Sequence, residues 1–85
     1  MSEIEEKPIG KITHYFGKIG VAIIELTDTL KVGDRIKIGQ KTSGFEQSVA
    51  SMEIDRNKVQ EAKAGDSVGL KVDQKVKEGS EAYRL

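Results

Sequence analysis

Side chains able to bind a nucleic acid cluster in the first quarter of the chain. Lys11 and Lys18 supply positive charge, while His14 and Tyr15 supply rings. Lysines attract phosphates, and an aromatic ring can stack on a base of any sequence. The sequence therefore predicts an RNA-binding site around the loop that contains Lys18, with these four residues as its candidates.

A second group of lysines follows near the end of a later predicted strand. Lys71 and Lys75 are candidates for a second basic patch in the same site. Acidic residues, among them Glu25, Asp73 and Glu78, interleave with both groups and dilute their potential. Lysines also decorate the solvent-facing side of any small soluble barrel, so ordinary surface exposure is the simpler explanation of the pattern.

The sequence offers little for catalysis. A nucleophile needs a base and a group that orients this base, but His14 is the only histidine and cysteine is absent. The same composition argues against a zinc site and excludes a disulfide framework. We therefore expect no enzymatic activity, no metal and no cofactor.

Charge and hydropathy set the broad class of the chain. The 85 residues carry 14 basic and 14 acidic side chains, so any binding to phosphates needs a local patch rather than a general excess of charge. Residues 1–6 are acidic and lack the apolar segment of a secretion signal, and no apolar run approaches the roughly 20 residues that cross a bilayer. We expect a flexible leader over 1–6, one domain over 7–85, no membrane contact and a cytoplasmic location.

Three similar turns must position these side chains. Each has a lysine, then after one residue a glycine, and then a small polar residue, at 31–34, 63–66 and 77–80. Glycine adopts positive φ without a Cβ clash, and the polar side chain can bond the backbone of its own turn. A segment rich in strand-forming residues follows each turn, which is typical of a compact all-β domain.

The remaining alternation predicts about six strands with short connections. They cover residues 9–16, 21–26, 36–38, 45–54, 67–72 and 81–85. We expect Ile12 and Phe16 to point inward, and a β-bulge near Ala50 or Ser51 where the apolar phase slips. Residues 59–62 fit either a helical turn or an extended segment. An antiparallel barrel is the predicted fold because closure removes exposed sheet edges.

Residues 30–38, 49–52 and 62–70 together resemble domain two of the translation GTPases, such as elongation factor Tu. The chain is still more similar to short, free-standing elongation factor-like proteins and to the C-terminal domain of some U32-type peptidases. This resemblance implies a six-stranded antiparallel, Greek-key-like β-barrel. It also implies contact with tRNA, ribosomal RNA or a ribosome-associated protein.

The resemblance does not extend to nucleotide chemistry. The phosphate-binding motif G-x-x-x-x-G-K-[ST] is missing, so we expect neither a bound nucleotide nor GTPase activity. The factors carry a Gly-Arg pair where this chain has residues 23–25, and no tRNA-contacting residue is carried over. Our main hypothesis is thus a non-catalytic module that binds RNA or a ribonucleoprotein of the translation apparatus.

The alternative is a protein-protein interaction or oligomerisation domain that acts as an accessory subunit of a larger enzyme. Exposed apolar residues such as Ile19 and Tyr83 would form its contact patch. The oligomeric state stays open.

Overall fold

The computed structural model of the protein describes residues 8–39 and 44–85, and the predicted leader over 1–6 lies outside them. Every regular element of these residues is a β-strand. The strands are β1 (Pro8–Phe16), β2 (Val21–Leu26), β3 (Leu30–Lys31), β4 (Arg35–Ile38), β5 (Phe45–Ser48), β6 (Met52–Ile54), β7 (Asn57–Val59), β8 (Glu61–Ala62), β9 (Ser67–Lys71) and β10 (Glu81–Arg84). A helix long and apolar enough to cross a membrane is not found in the described part of the chain.

Eight of these strands form one antiparallel sheet, and β3 pairs with β8 in a small second sheet. The order in the large sheet is β5-β4-β10-β1-β2-β9-β6-β7. Because β5 and β6 follow each other in the chain but lie near opposite ends of this order, the sheet must curl. The predicted all-β, barrel-like class is confirmed. The strands are more numerous than predicted because 45–54 is divided between β5 and β6, and because the short strands β3, β7 and β8 were not predicted. Residues 59–62 adopt the extended one of their two predicted forms.

The three lysine-glycine turns share one geometry, and we call them the corners. Their glycines have φ of 100°, 94° and 93° in chain order. In each, the N–H of the fourth residue donates to the carbonyl oxygen of the lysine, at 3.1, 3.0 and 3.1 Å. In the first two, the aspartate carboxylate also accepts the lysine N–H, at 3.0 and 2.9 Å. This is the pattern of a type II turn, which requires the glycine.

Each corner also holds one buried residue of a neighbouring segment. Two hydrogen bonds hold that residue. The N–H of the corner glycine donates to its carbonyl oxygen, and its own N–H donates to the carbonyl oxygen of the fourth residue of the corner. The residues held are Val49, Leu26 and Ile12, with paired distances of 2.8, 2.9 and 2.7 Å. All three are 1% exposed. The repeat in the sequence is therefore a structural repeat in which each corner fixes one core side chain.

The inward phase of β1 changes at a bulge. The register with β2 shifts between Ile12 and His14, so Thr13 is an extra residue on β1. Ile12 is buried as predicted, but the prediction for Phe16 is wrong, because its side chain is 48% exposed. After the bulge, Tyr15 instead takes the inward phase and packs against the core.

Gln47 bridges the gap between β5 and the chain that follows β9. Its amide Nε2 donates to the carbonyl oxygen of Lys71 at 2.8 Å, and its Oε1 accepts the N–H of Asp73 at 2.9 Å. The side chain is 4% exposed, and its two hydrogen bonds join β5 to the end of β9 in place of hydrogen bonds between backbone groups. With this bridge, six strands follow each other around the barrel, in the order β4, β10, β1, β2, β9 and β5.

Candidate binding face

Neighbouring strands on one side of the barrel present a continuous outward surface, which we call the outer face. On β2 and β9, alternate residues are buried in the core, so the residues between them point outward. The pairing of β1, β2, β9 and β6 then places their outward residues in rows across the sheet. The outer face comprises Lys11, His14 and Phe16 of β1, Val21, Ile23 and Glu25 of β2, Ser67, Gly69 and Lys71 of β9, and Glu53 of β6.

A notch lies near the centre of the outer face, at Gly69. This glycine pairs with Ile23 on one side and with Glu53 on the other. A Cβ atom added there would lie 3.6 Å from Cδ1 of Ile23 and 3.7 Å from Cγ1 of Val21. Two aliphatic side chains therefore border a position that carries no side chain of its own.

An apolar strip runs from the notch to the end of the first hairpin. Phe16 lies directly opposite Val21, and His14 lies opposite Ile23. The rings of His14 and Phe16 stack, with centroids 6.2 Å apart and planes inclined by 23°. In the loop beyond, Ile19 is 64% exposed. Exposed apolar side chains that are contiguous in this way are typical of a contact surface rather than of scattered surface residues.

Charges of both signs border the strip. Lys11 lies opposite Glu25, and Glu53 lies between Gly69 and Lys58. Lys71, the last residue of β9, lies opposite Val21 and borders the notch. A surface that binds phosphates by charge concentrates cations, whereas here acids and bases alternate along the rows.

The structure brings three of the six predicted site residues together. Lys11, His14 and Lys71 share the outer face, because β9 pairs with β2 and so lies beside the first hairpin. Lys18 is exposed in the hairpin loop at the end of this face. Nδ1 of His14 lies 3.7 Å from Oε2 of Glu78.

The other two candidates lie elsewhere. The bulge at Thr13 turns the side chain of Tyr15 toward the core. Lys75 lines a cleft of about 360 Å³ on the loop before β10, where Phe45 and Val76 form apolar walls. The six residues thus do not form one patch, and their role in RNA binding stays a prediction.

Sequence reasoning missed the residues that define the outer face. Phe16 was assigned to the core because the alternation contains no sign of the bulge at Thr13. Ile23 stands in a nearly continuous apolar run, which gives no indication of which side faces solvent. Gly69 follows the second corner closely, and its place between two aliphatic side chains appears only once β2 and β9 are paired.

A metal site is not apparent among residues 8–39 and 44–85, where no three His, Asp or Glu side chains converge. Buried side-chain nitrogen and oxygen atoms in the same residues all have hydrogen-bond partners.

Comparison with known proteins connects this domain with peptidases. No protein-family model matches the chain. An uncharacterized protease of Methanocaldococcus jannaschii is 41% identical over 85 residues, which cover 99% of this chain and 21% of that protein. The chain therefore spans about a fifth of the length of this curated relative.

Two crystal structures of the C-terminal domain of a candidate U32 peptidase from Geobacillus thermoleovorans have the same architecture. One superposes with a TM-score of 0.84 and covers 94% of this chain and 92% of that chain. The other, a selenomethionine variant, gives 0.83 and covers 91% and 98%. The fold is that of a U32 peptidase C-terminal domain. At 18% identity this likeness concerns the fold alone.

These findings support the U32 part of the predicted resemblance. The proteins described above are a protease and peptidase domains, so the identification with domain two of elongation factor Tu gains no support from them. Both expectations led to the same small barrel, which is why the fold class could be right while the translation-factor identification stays without support.

Proposed function

We propose that this chain is a non-catalytic accessory domain that works together with a larger enzyme of the U32 peptidase type. One observation carries the proposal: almost the whole chain aligns, at 41% identity, with only a fifth of a much longer protease. We therefore assign binding to the small barrel, either of the larger enzyme or of its substrate. The chemistry is assigned to the remaining four-fifths of such an enzyme.

The surroundings of the single histidine support the non-catalytic part of the proposal. His14 is exposed, stacks on Phe16 and lies near the carboxylate of Glu78. In the described ranges, no hydroxyl group donates a hydrogen bond to it or accepts one from it. A base without a nucleophile within hydrogen-bond reach does not form a catalytic pair. We extend the proposal to the cytoplasmic location expected from the sequence.

The RNA interpretation ranks second because of the charge pattern. Lys11 and Lys71 stand among Glu25 and Glu53 on the outer face, and the chain has no net charge. Binding of RNA through release of counterions needs an excess of cations at the surface. The two glutamates would have to be absent, or neutralised by other residues, for this to occur. Binding of tRNA or ribosomal RNA is therefore treated as a competing outcome in the experiments below.

A domain exchange tests the proposal. In the full-length Methanocaldococcus jannaschii protease, the matching region is replaced by this chain, and hydrogen exchange is followed in peptides covering residues 22–26 of β2. These amides exchange through unfolding of the domain, so docking on the rest of the enzyme slows them. A docking energy of about 2 kcal/mol, ordinary for coupling between sites, slows exchange about 30-fold relative to the isolated chain.

Fusion of the same chain to an unrelated carrier protein is the control for tethering alone. We expect exchange in the carrier fusion to equal that of the isolated chain. Equal exchange in the protease chimera, the carrier fusion and the isolated chain would show that the domain gains nothing from the enzyme, and would contradict the proposal.

A further inference from the structure

We infer that the outer face, centred on the notch at Gly69, is the surface through which the domain docks on the larger enzyme. Its partner is a folded protein surface that inserts an aliphatic or aromatic side chain over Gly69. This inference rests on the proposed function and adds to it the site and the chemistry of the partner.

The shape of the notch is the first argument. An atom placed at the missing Cβ of Gly69 would lie 3.6 and 3.7 Å from carbon atoms of Ile23 and Val21. These are ordinary van der Waals distances for a Cβ atom, so the two side chains stand close beside the bare backbone of Gly69. A methyl or ring carbon of a partner can rest on the Cα of Gly69, farther out than the Cβ position and between the same two side chains. A contact surface that is already formed in this way lowers the ordering cost of association.

The exposed apolar area is the second argument. The structure leaves three large hydrophobic side chains strongly exposed among its described residues, namely Phe16, Ile19 and Leu85. Phe16 lies on the strip that leads from the notch to the first hairpin loop, and Ile19 follows in that loop. The bulge at Thr13 is what turns Phe16 outward. Exposed apolar side chains grouped beside one another are typical of a protein contact surface.

The charges beside the notch indicate what kind of partner fits. Lys71 lies opposite Val21 at one margin of the notch, and Glu53 lies opposite Gly69 at another. A partner needs an acidic group opposite the lysine and a basic group opposite the glutamate. A folded protein surface can present both signs around an apolar side chain, whereas RNA presents one sign only.

Substitution of Gly69 tests the inference without touching the core. Gly69 has no positive φ, and the position it offers a side chain points outward. Gly69→Arg should therefore fold, which the hydrogen exchange of the isolated variant checks, and should block the notch. In the domain-exchanged protease we expect the roughly 30-fold slowing of exchange at 22–26 to fall to about 1-fold.

Ala64→Arg is the matched control. Ala64 is exposed in the second corner, at a position where the other corners carry Val32 and Glu78, so a long side chain is compatible with the turn. The Ala64→Arg chimera should keep the full slowing. Full slowing in the Gly69→Arg chimera as well would overturn the outer face as the docking site, while the proposed function would stand.

Other outcomes are equally distinct. Absence of slowing in the unsubstituted chimera would refute the proposed function and this inference with it. If the isolated chain dimerises in sedimentation experiments and Gly69→Arg abolishes the dimer, a second copy occupies the face and the assigned partner is wrong. Salt-sensitive binding of tRNA by the isolated chain that is lost in Lys71→Glu would overturn the protein partner in favour of RNA.

Discussion

Replacement of Gln47 by methionine should destabilise the domain by about 1–3 kcal/mol. The amide makes two hydrogen bonds to backbone groups, at 2.8 Å to the carbonyl oxygen of Lys71 and at 2.9 Å from the N–H of Asp73. Methionine fills a similar volume but can replace neither bond. Gln47 is only 4% exposed, but Lys71 and Asp73 are exposed, so water can reach the two backbone groups once the amide is gone. Each lost hydrogen bond then costs its net contribution of about 0.5–1.5 kcal/mol.

Urea unfolding at 25 °C, followed by far-ultraviolet circular dichroism, measures this loss. The free energy of unfolding should fall while its dependence on urea stays the same, since the surface exposed on unfolding is unchanged. Gln60→Met is the matched control, because Gln60 is exposed and its side chain makes no hydrogen bond within the described residues. It should change stability by no more than about 0.5 kcal/mol. A Gln47→Met variant as stable as the Gln60→Met variant would refute the bridging role of the amide.

Three further predictions use the same urea measurement. Gly10→Ala should cost about 1–3 kcal/mol, because its Cβ would lie 2.6 Å from a buried methyl group and 2.9 Å from a backbone oxygen, whereas Gly69→Ala should gain about 0.5 kcal/mol because its Cβ makes only ordinary van der Waals contacts, at 3.6 Å and beyond; equal effects would contradict the glycine geometry. Asp55→Asn combined with Arg56→Gly should gain about 1 kcal/mol, because both residues have positive φ, at 51° and 69°, in a two-residue hairpin loop; a loss would show that the loop is not strained. Asp66→Ala should cost about 1 kcal/mol through loss of the 2.9 Å bond to a backbone N–H, and unchanged stability would contradict the role of the carboxylate in its corner.

The corners were the most predictable part of the fold, and their local chemistry explains why. Lysine, glycine and a polar residue at fixed spacing determine a turn through φ and through a bond of only three residues' span. Gly33 and Gly65 adopt the positive φ expected of them. The bonds that each corner makes to a buried residue on another segment were not predictable, because they depend on which strands pair.

The binding face depended on long-range pairing and was therefore missed. One extra residue at Thr13 reverses the phase of everything that follows on β1, and nothing in the local sequence marks it. The phase change between Val49 and Met52 was visible because both flanking residues are strongly apolar. The role of Gln47 as a bridge could not be predicted, because it depends on the positions of Lys71 and Asp73.

The prediction of function was limited in the same way, because local sequence features were visible and the pairing of strands was not. Turn spacing and strand alternation indicated a small barrel, and barrels of this kind serve several functions. The basic and aromatic residues of the first hairpin suggested RNA, but only the folded sheet places Glu25 opposite Lys11 and an apolar strip farther along the same hairpin. The sequence could identify the fold family, while the character of the surface came from the pairing of strands.

Photo-crosslinking in the domain-exchanged protease tests docking through the outer face most directly. A benzoylphenylalanine replaces Lys71, which borders the notch, or Arg35 on β4, which lies on the far side of the six-strand ring. We predict crosslinks from position 71 to the remaining part of the enzyme and none from position 35. Crosslinks from position 35 in place of position 71, or none from either, would contradict the account.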